Sequence, residues 1–146
     1  SFDAANRSPW SGDPPPPTPP RFTPDPVTEE VGQLVQRQFS HHPGRLDLTT
    51  LPASQEDAET LWTWAKRECV PVFGPFEDAM STRSSGLFHT RISTLLNLHR
   101  LLPSRVVADV AAMPLPLPSQ EGFIRQVLGW REFVHHVDDA LDAERL

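Results

Sequence analysis

The segment DPPPPTPPRFTPDP, residues 13–26, closes off more conformations than any other stretch of the chain. Proline fixes φ and lacks an N–H, so this run cannot form a packed helix and favours an extended polyproline path. Nine of the 17 prolines fall between Pro9 and Pro26, so residues 1–26 read as an interdomain linker or arm. Residues 27–146 must then supply the core, and a chain of 146 residues has room for one domain. The proline content also accounts for much of the low hydrophobic fraction, 38%. The chain opens at Ser1 on linker-like sequence, with neither initiator methionine nor signal peptide in view. The expectation is an interior piece of a longer protein.

Beyond Pro26 the periodicity is helical. Val27, Val31, Leu34, Val35 and Phe39 recur at spacings of three and four and make one apolar stripe, which HHPG ends. Ser54 and Asp57 have capping-box spacing ahead of Ala58, Leu61, Trp62, Ala65 and Cys69. Pro71, Gly74 and Pro75 then break the chain. Leu87, Phe88, Arg91, Ile92, Leu95 and Leu96 predict a third amphipathic segment, and Pro103-Ser104 starts a short helix with Val106, Val107 and Val110. After PLPLP, Ser119 suits the N-cap of a last helix with Phe123, Ile124, Val127, Leu128 and Val134 inward. There is no β-branched alternation and no Asn-Gly hairpin signal. The fold class is all-α, with five helices and an extended N-terminal arm.

A net charge of −6 gives no global attraction to nucleic acid, so any DNA contact needs a local basic patch. No run approaches the roughly 18 apolar residues that span a bilayer, so no membrane association is expected. A single cysteine, Cys69, excludes an intrachain disulfide and any four-cysteine metal site built from this chain alone. A reducing, cytoplasmic setting is the default. With no histidine nearby in sequence, Cys69 reads as structural rather than nucleophilic.

Three constellations bear on chemistry. His135 with Asp138 or Asp139 has the helical spacing of a metal pair, yet solvent exposure explains the residues better, and no metal site is assigned. Thr90, Arg91 and Ser93 gather at a predicted helix start, where hydroxyls and free N–H groups suit a phosphate; ordinary capping explains them equally. Phe123, Gln126 and Trp130 share a helix face at i, i+3 and i+7. They can sandwich a heterocycle, although spacing alone favours a core helix.

Together, FGPFEDAMSTRSSGLFHTRISTLLNLHRLLPSRVV and EGFIRQVLGWREF, with FDAANR and the proline run before them, resemble the deoxyribodipyrimidine photolyase-related proteins. This is the iron–sulfur branch of bacterial cryptochromes and (6-4) photolyases. The resemblance implies the first part of a helical FAD-binding domain in an enzyme that repairs ultraviolet lesions in DNA with light. It implies that His89, Thr90, Arg91, Ile92 and Ser93 hold FAD phosphates, with Phe76 and Phe123 beside the cofactor. Gln126 and Trp130 resemble the lesion-facing amide or carboxylate and the stacking tryptophan of that family. Gly129 adds one step between those two relative to common photolyases, which turns a helix by about 100° unless a bulge absorbs it. The resemblance also implies an antenna domain, a longer C-terminal half and four cluster cysteines that this chain does not contain. Alone, the chain is expected to bind FAD weakly at best and to repair no DNA.

Two other readings use the same residues. A cryptochrome-like blue-light photoreceptor would use the flavin for signalling without repair. A small helical interaction module would need no cofactor and would melt cooperatively without one.

Overall fold

The structure, a computed structural model, describes residues 6–143. Within FDAANR, Phe2 to Ala5 therefore lie outside the described residues. Six α-helices occur among the described residues: α1 (Pro26–Phe39), α2 (Gln55–Glu68), α3 (Phe73–Phe76), α4 (Ser93–Asn97), α5 (Pro103–Ala111) and α6 (Leu117–Ala143). Short 3-10 turns at Leu48–Thr50 and Val70–Val72 precede α2 and α3. No strand is present among the described residues, only an isolated bridge between Ser81 and Ser84. The all-α expectation holds, and the sixth helix is the four-residue α3. No helix among the described residues is long and apolar enough to cross a membrane.

The core forms where α2, α5 and the first half of α6 meet. The capping box predicted for α2 is present: Ser54 Oγ accepts from Asp57 N at 3.0 Å, and Asp57 Oδ2 accepts from Ser54 N at 3.0 Å. That fixes the start of a helix whose Ala58, Leu61, Trp62 and Ala65 are all buried. Val106 and Val110 of α5 and Phe123 and Val127 of α6 close over them. Each such large apolar side chain contributes about 1.5–3 kcal/mol by leaving water.

The proline-rich segment has no regular secondary structure and touches this body at several points. Phe22 is buried in the main core, and its N–H donates to Thr49 O at 2.8 Å. Further back, Ser8 N donates to Pro75 O at 2.8 Å, and Trp10 packs on a second apolar cluster of Ala79, Leu87 and Phe88. The Arg83 guanidinium sits 4.7 Å from the Trp10 ring and donates to Ser11 O at 2.9 Å. Asp25 then caps α1, accepting from Thr28 N at 2.7 Å, with Pro26 at the first helical position where no N–H is needed.

Four expectations need correction. The apolar stripe of α1 faces solvent: Val27, Val31, Leu34 and Phe39 are exposed, and the helix meets the body where Gly32 lies under Leu48. The segment from Leu87 to Leu96 is not one helix, because α4 begins only at Ser93 and both Leu87 and Arg91 have positive φ. Its apolar residues serve two clusters: Leu87 and Phe88 fill the second, Ile92, Leu95 and Leu96 the main core. A single helical stripe cannot face both. The last helix starts at Leu117, with Pro118 tolerated in its first turn. Ser119 is therefore inside it and fully buried rather than an N-cap. Finally, Leu128 and Val134 are exposed, since α6 runs past the body beyond Val127 and, among the described residues, no core cluster includes that stretch.

Candidate functional site

An open cleft of about 1110 Å³ lies between α6 and the segment that ends in α4. Its floor is apolar, formed by Phe73, Ile92, Leu96, Phe123 and Val127. Thr90, Ser93, Asn97 and His99 line one wall, with Pro103 beside them. Gln126, Trp130, Arg131, Val134, His135 and Asp138 line the α6 wall. The shape and chemistry, an apolar floor with a few polar groups converging on it, suit a small-molecule site.

Two neighbours lock the floor residue Phe123. Its ring stacks on Trp62 at 6.1 Å and meets Phe73 edge-on at 5.1 Å. Trp62 is held in turn by Asp109, whose Oδ2 accepts from Trp62 Nε1 at 2.8 Å and from Lys66 Nζ at 3.0 Å. Burial works to raise the Asp109 pKa, but the hydrogen bonds from Trp62 and Lys66 outweigh it and keep the carboxyl below its ordinary value. Ser119 fixes the angle of α6: its Oγ donates to Pro71 O at 2.9 Å and accepts from Gly74 N at 3.1 Å.

On the α6 wall, Gln126 and Trp130 are one helical turn apart on a regular helix, and Trp130 Nε1 donates to Gln126 Oε1 at 2.8 Å. The extra step at Gly129 therefore leaves the two side chains in contact on one face. Gly129 itself is exposed, and a Cβ there would meet nothing within 4 Å. Trp130 is 63% exposed, with Phe133 edge-on at 6.1 Å, so most of its ring is open to a ligand. Arg131 folds back along the helix, Nη1 donating to Val127 O at 2.7 Å.

The nine residues singled out from the sequence divide into two sets. Thr90, Ile92, Ser93, Phe123, Gln126 and Trp130 all line the cleft. Phe76, His89 and Arg91 do not. Phe76 stacks on Phe88 at 4.9 Å in the second apolar cluster, while His89 and Arg91 are exposed. Thr90 and Ser93 sit in irregular chain leading into a helix of only five residues. Their hydroxyls, rather than a helix dipole, are what this wall offers a phosphate.

Cys69 is buried and its thiol lies 3.9 Å from His89 O. Burial, then the Glu68 charge, pushes the thiol up to about 12, with Arg91 acting weakly the other way. It is no nucleophile at neutral pH. His135, His136 and Asp139 place one possible ligand atom each within 4.8 Å of one another, on the exposed end of α6. His135 Nδ1 lies 3.1 Å from Asp139 Oδ2, as the i, i+4 spacing predicts.

Several lining residues were not foreseen: Phe73, Asn97, His99 and Arg131. His99 carried a usable signal only in the structure, its φ of 54°, a value that non-glycine residues adopt sparingly and often near functional sites. Glu77 was also missed, although it sits in the PFEDAM segment. Its Oε1 accepts from Gln126 Nε2 and lies 3.4 Å from Arg7 Nη2.

The family model described as "Deoxyribodipyrimidine photo-lyase-related protein" matches residues 1–50. A "(6-4) photolyase" of Agrobacterium fabrum is 34% identical over 142 residues, 94% of this chain and 28% of that protein. The chain thus spans little more than a quarter of that relative's length.

Proposed function

We propose, from its similarity to the photolyase-related family model and to a (6-4) photolyase, that the cleft forms part of a light-driven, FAD-dependent repair site for ultraviolet-damaged pyrimidines in DNA, of the (6-4) type. The observation that carries the reading is convergence. Thr90, Ile92 and Ser93, from one segment, and Phe123, Gln126 and Trp130, from another some 30 residues on, line the same cleft.

The residues present fit the flavin in part. The Thr90 and Ser93 hydroxyls can donate to phosphate oxygens, and Phe123 with Phe73 gives an apolar floor for a ring system. When bound, FAD supplies the light-driven electron. Trp130 stacks on an unstacked base, and Gln126 offers an amide to the edge of that base, as enzymes that extrude a nucleotide require. Arg131 gives the cleft a local cation against the overall charge of −6. The iron–sulfur cluster of the resembling family does not fit this chain: its one cysteine, Cys69, is buried and firmly protonated.

The test is a fluorescence titration of the 146-residue chain with two duplexes of the same sequence, one carrying a (6-4) photoproduct. The damaged duplex should bind more tightly, and Trp130→Ala should remove most of that preference, since base stacking is worth about 1–3 kcal/mol. Equal binding of damaged and undamaged DNA would refute the reading. FAD binding without lesion preference would point instead to a photoreceptor.

A further inference from the structure

We propose that Glu77, braced by Arg7 of the N-terminal segment, is a positioning residue that holds the Gln126 amide in a single orientation in the cleft. The role of that orientation rests on the reading of Gln126 as a lesion-facing group; the orientation itself does not.

Glu77 follows α3 directly, and its side chain is only 12% exposed. Its carboxylate packs toward α6 where Gly122 leaves room, with Oε2 3.5 Å from where a Cβ would stand. Oε1 accepts a hydrogen bond from Gln126 Nε2. Arg7 reaches the same oxygen, Nη2 at 3.4 Å, and its other nitrogen pairs with Asp78. At the opposite end of the amide, Gln126 Oε1 accepts from Trp130 Nε1 at 2.8 Å.

The two ends select one rotamer. Turning the amide by 180° would set its oxygen against the Glu77 carboxylate and its NH2 against the Trp130 N–H. Acceptor would face acceptor and donor would face donor. A carboxylate accepts but never donates while ionised, so Glu77 enforces this choice. An ordinary surface glutamine has no such restriction. After both bonds are made, the amide keeps one N–H and one lone pair free, in a known order. That pair complements an edge with a carbonyl beside an N–H, as on a thymine ring. The same contacts tie Trp130, the stacking residue, to Gln126. The N-terminal segment is thereby coupled to the cleft through three side chains.

The experiment reads the Gln126 side-chain NH2 in ¹H–¹⁵N spectra of the 146-residue chain, assigned by its loss in Gln126→Leu. In the wild type the two amide protons should be widely separated, because one is bonded to a carboxylate. Glu77→Ala should collapse that separation, Arg7→Ala should reduce it, and Glu77→Gln, which keeps an acceptor oxygen, should restore much of it. Preference for the damaged duplex should fall about three- to tenfold in Glu77→Ala and largely recover in Glu77→Gln. If Glu77→Ala fails to fold, Arg7→Ala and Glu77→Gln carry the comparison. An amide signal unchanged in Glu77→Ala, or in Arg7→Ala where that variant stands in, overturns the proposal. A changed amide with undiminished lesion preference overturns the role of the orientation. If even the wild type ignores the lesion while the amide responds as expected, the positioning stands and the repair reading falls.

Discussion

Ser119→Ala tests how the cleft is held together, because it changes one buried oxygen and no volume that matters. Ser119 Oγ is fully buried and bridges two chain segments, donating to Pro71 O at 2.9 Å and accepting from Gly74 N at 3.1 Å. Removing it strands the buried Gly74 N–H and takes a partner from the part-buried Pro71 carbonyl, and the space vacated is too small for a replacement water. An unsatisfied buried group costs about 1–3 kcal/mol, so two such groups, partly relaxed, should cost about 2–4 kcal/mol. For a chain of this size that corresponds to a fall in Tm of about 5–15 °C. Urea unfolding followed by far-UV circular dichroism gives the free energy, and an unchanged slope shows that the native and unfolded states kept their exposed areas. The consequence should also reach the cleft, because the bridge sets α6 against the chain that leads to Glu77. A loss within about 0.5 kcal/mol of zero, the range of an ordinary surface change, would refute the reasoning.

Gly74→Ala should destabilise by about 1–3 kcal/mol in the same assay, because its Cβ would lie 2.8 Å from Pro118 C and 2.9 Å from Ser119 N, backbone atoms that cannot move aside. Gly129→Ala should stabilise by about 1 kcal/mol, since a Cβ there meets nothing within 4 Å and glycine is costly inside a helix; a loss of stability would show an unseen constraint at that position. The Asp109 carboxyl lies below its ordinary value of 3.8 in the folded chain, so its contribution is present above about pH 4 and lost as pH falls through the folded value. Urea midpoints measured from pH 7 down to pH 2.5 should therefore drop less steeply for Asp109→Asn than for the wild type, and parallel curves would contradict this.

The helices with strong local signals were legible in the chain. The periodic run from Pro26 and the Ser54–Asp57 capping box mark the starts of α1 and α2, the latter through hydrogen bonds that a few residues make among themselves. What could not be read was which apolar stripe finds a partner. The stripe on α1 has the same periodicity as that on α2, yet only the second is buried. Periodicity reports a face, and burial depends on the elements opposite it. Residues 87–96 failed for a related reason. Their apolar spacing fits a helix, but the chain divides them between two clusters and passes through positive φ at Leu87 and Arg91 to do so.

The cleft was legible only through resemblance, and unevenly. Motif order suggested nine residues, and the chain brings six of them to one cavity while Phe76, His89 and Arg91 point elsewhere. The segment is irregular and passes through positive φ at Arg91 before the helix starts at Ser93, so HTRIS does not send every side chain to one ligand. Thr90, Ile92 and Ser93 take the cleft side, and the other two take the solvent side. Glu77 was illegible for the opposite reason. It stands next to Phe76 in a quoted motif, yet its partners Arg7 and Gln126 are about 70 and 49 residues away. No periodicity or spacing rule joins positions so distant; only the packing of α3 against α6 does. The side chains a motif names are those that touch a ligand. Those that orient them can lie anywhere the fold brings close, which is why Glu77 could be found only from the structure.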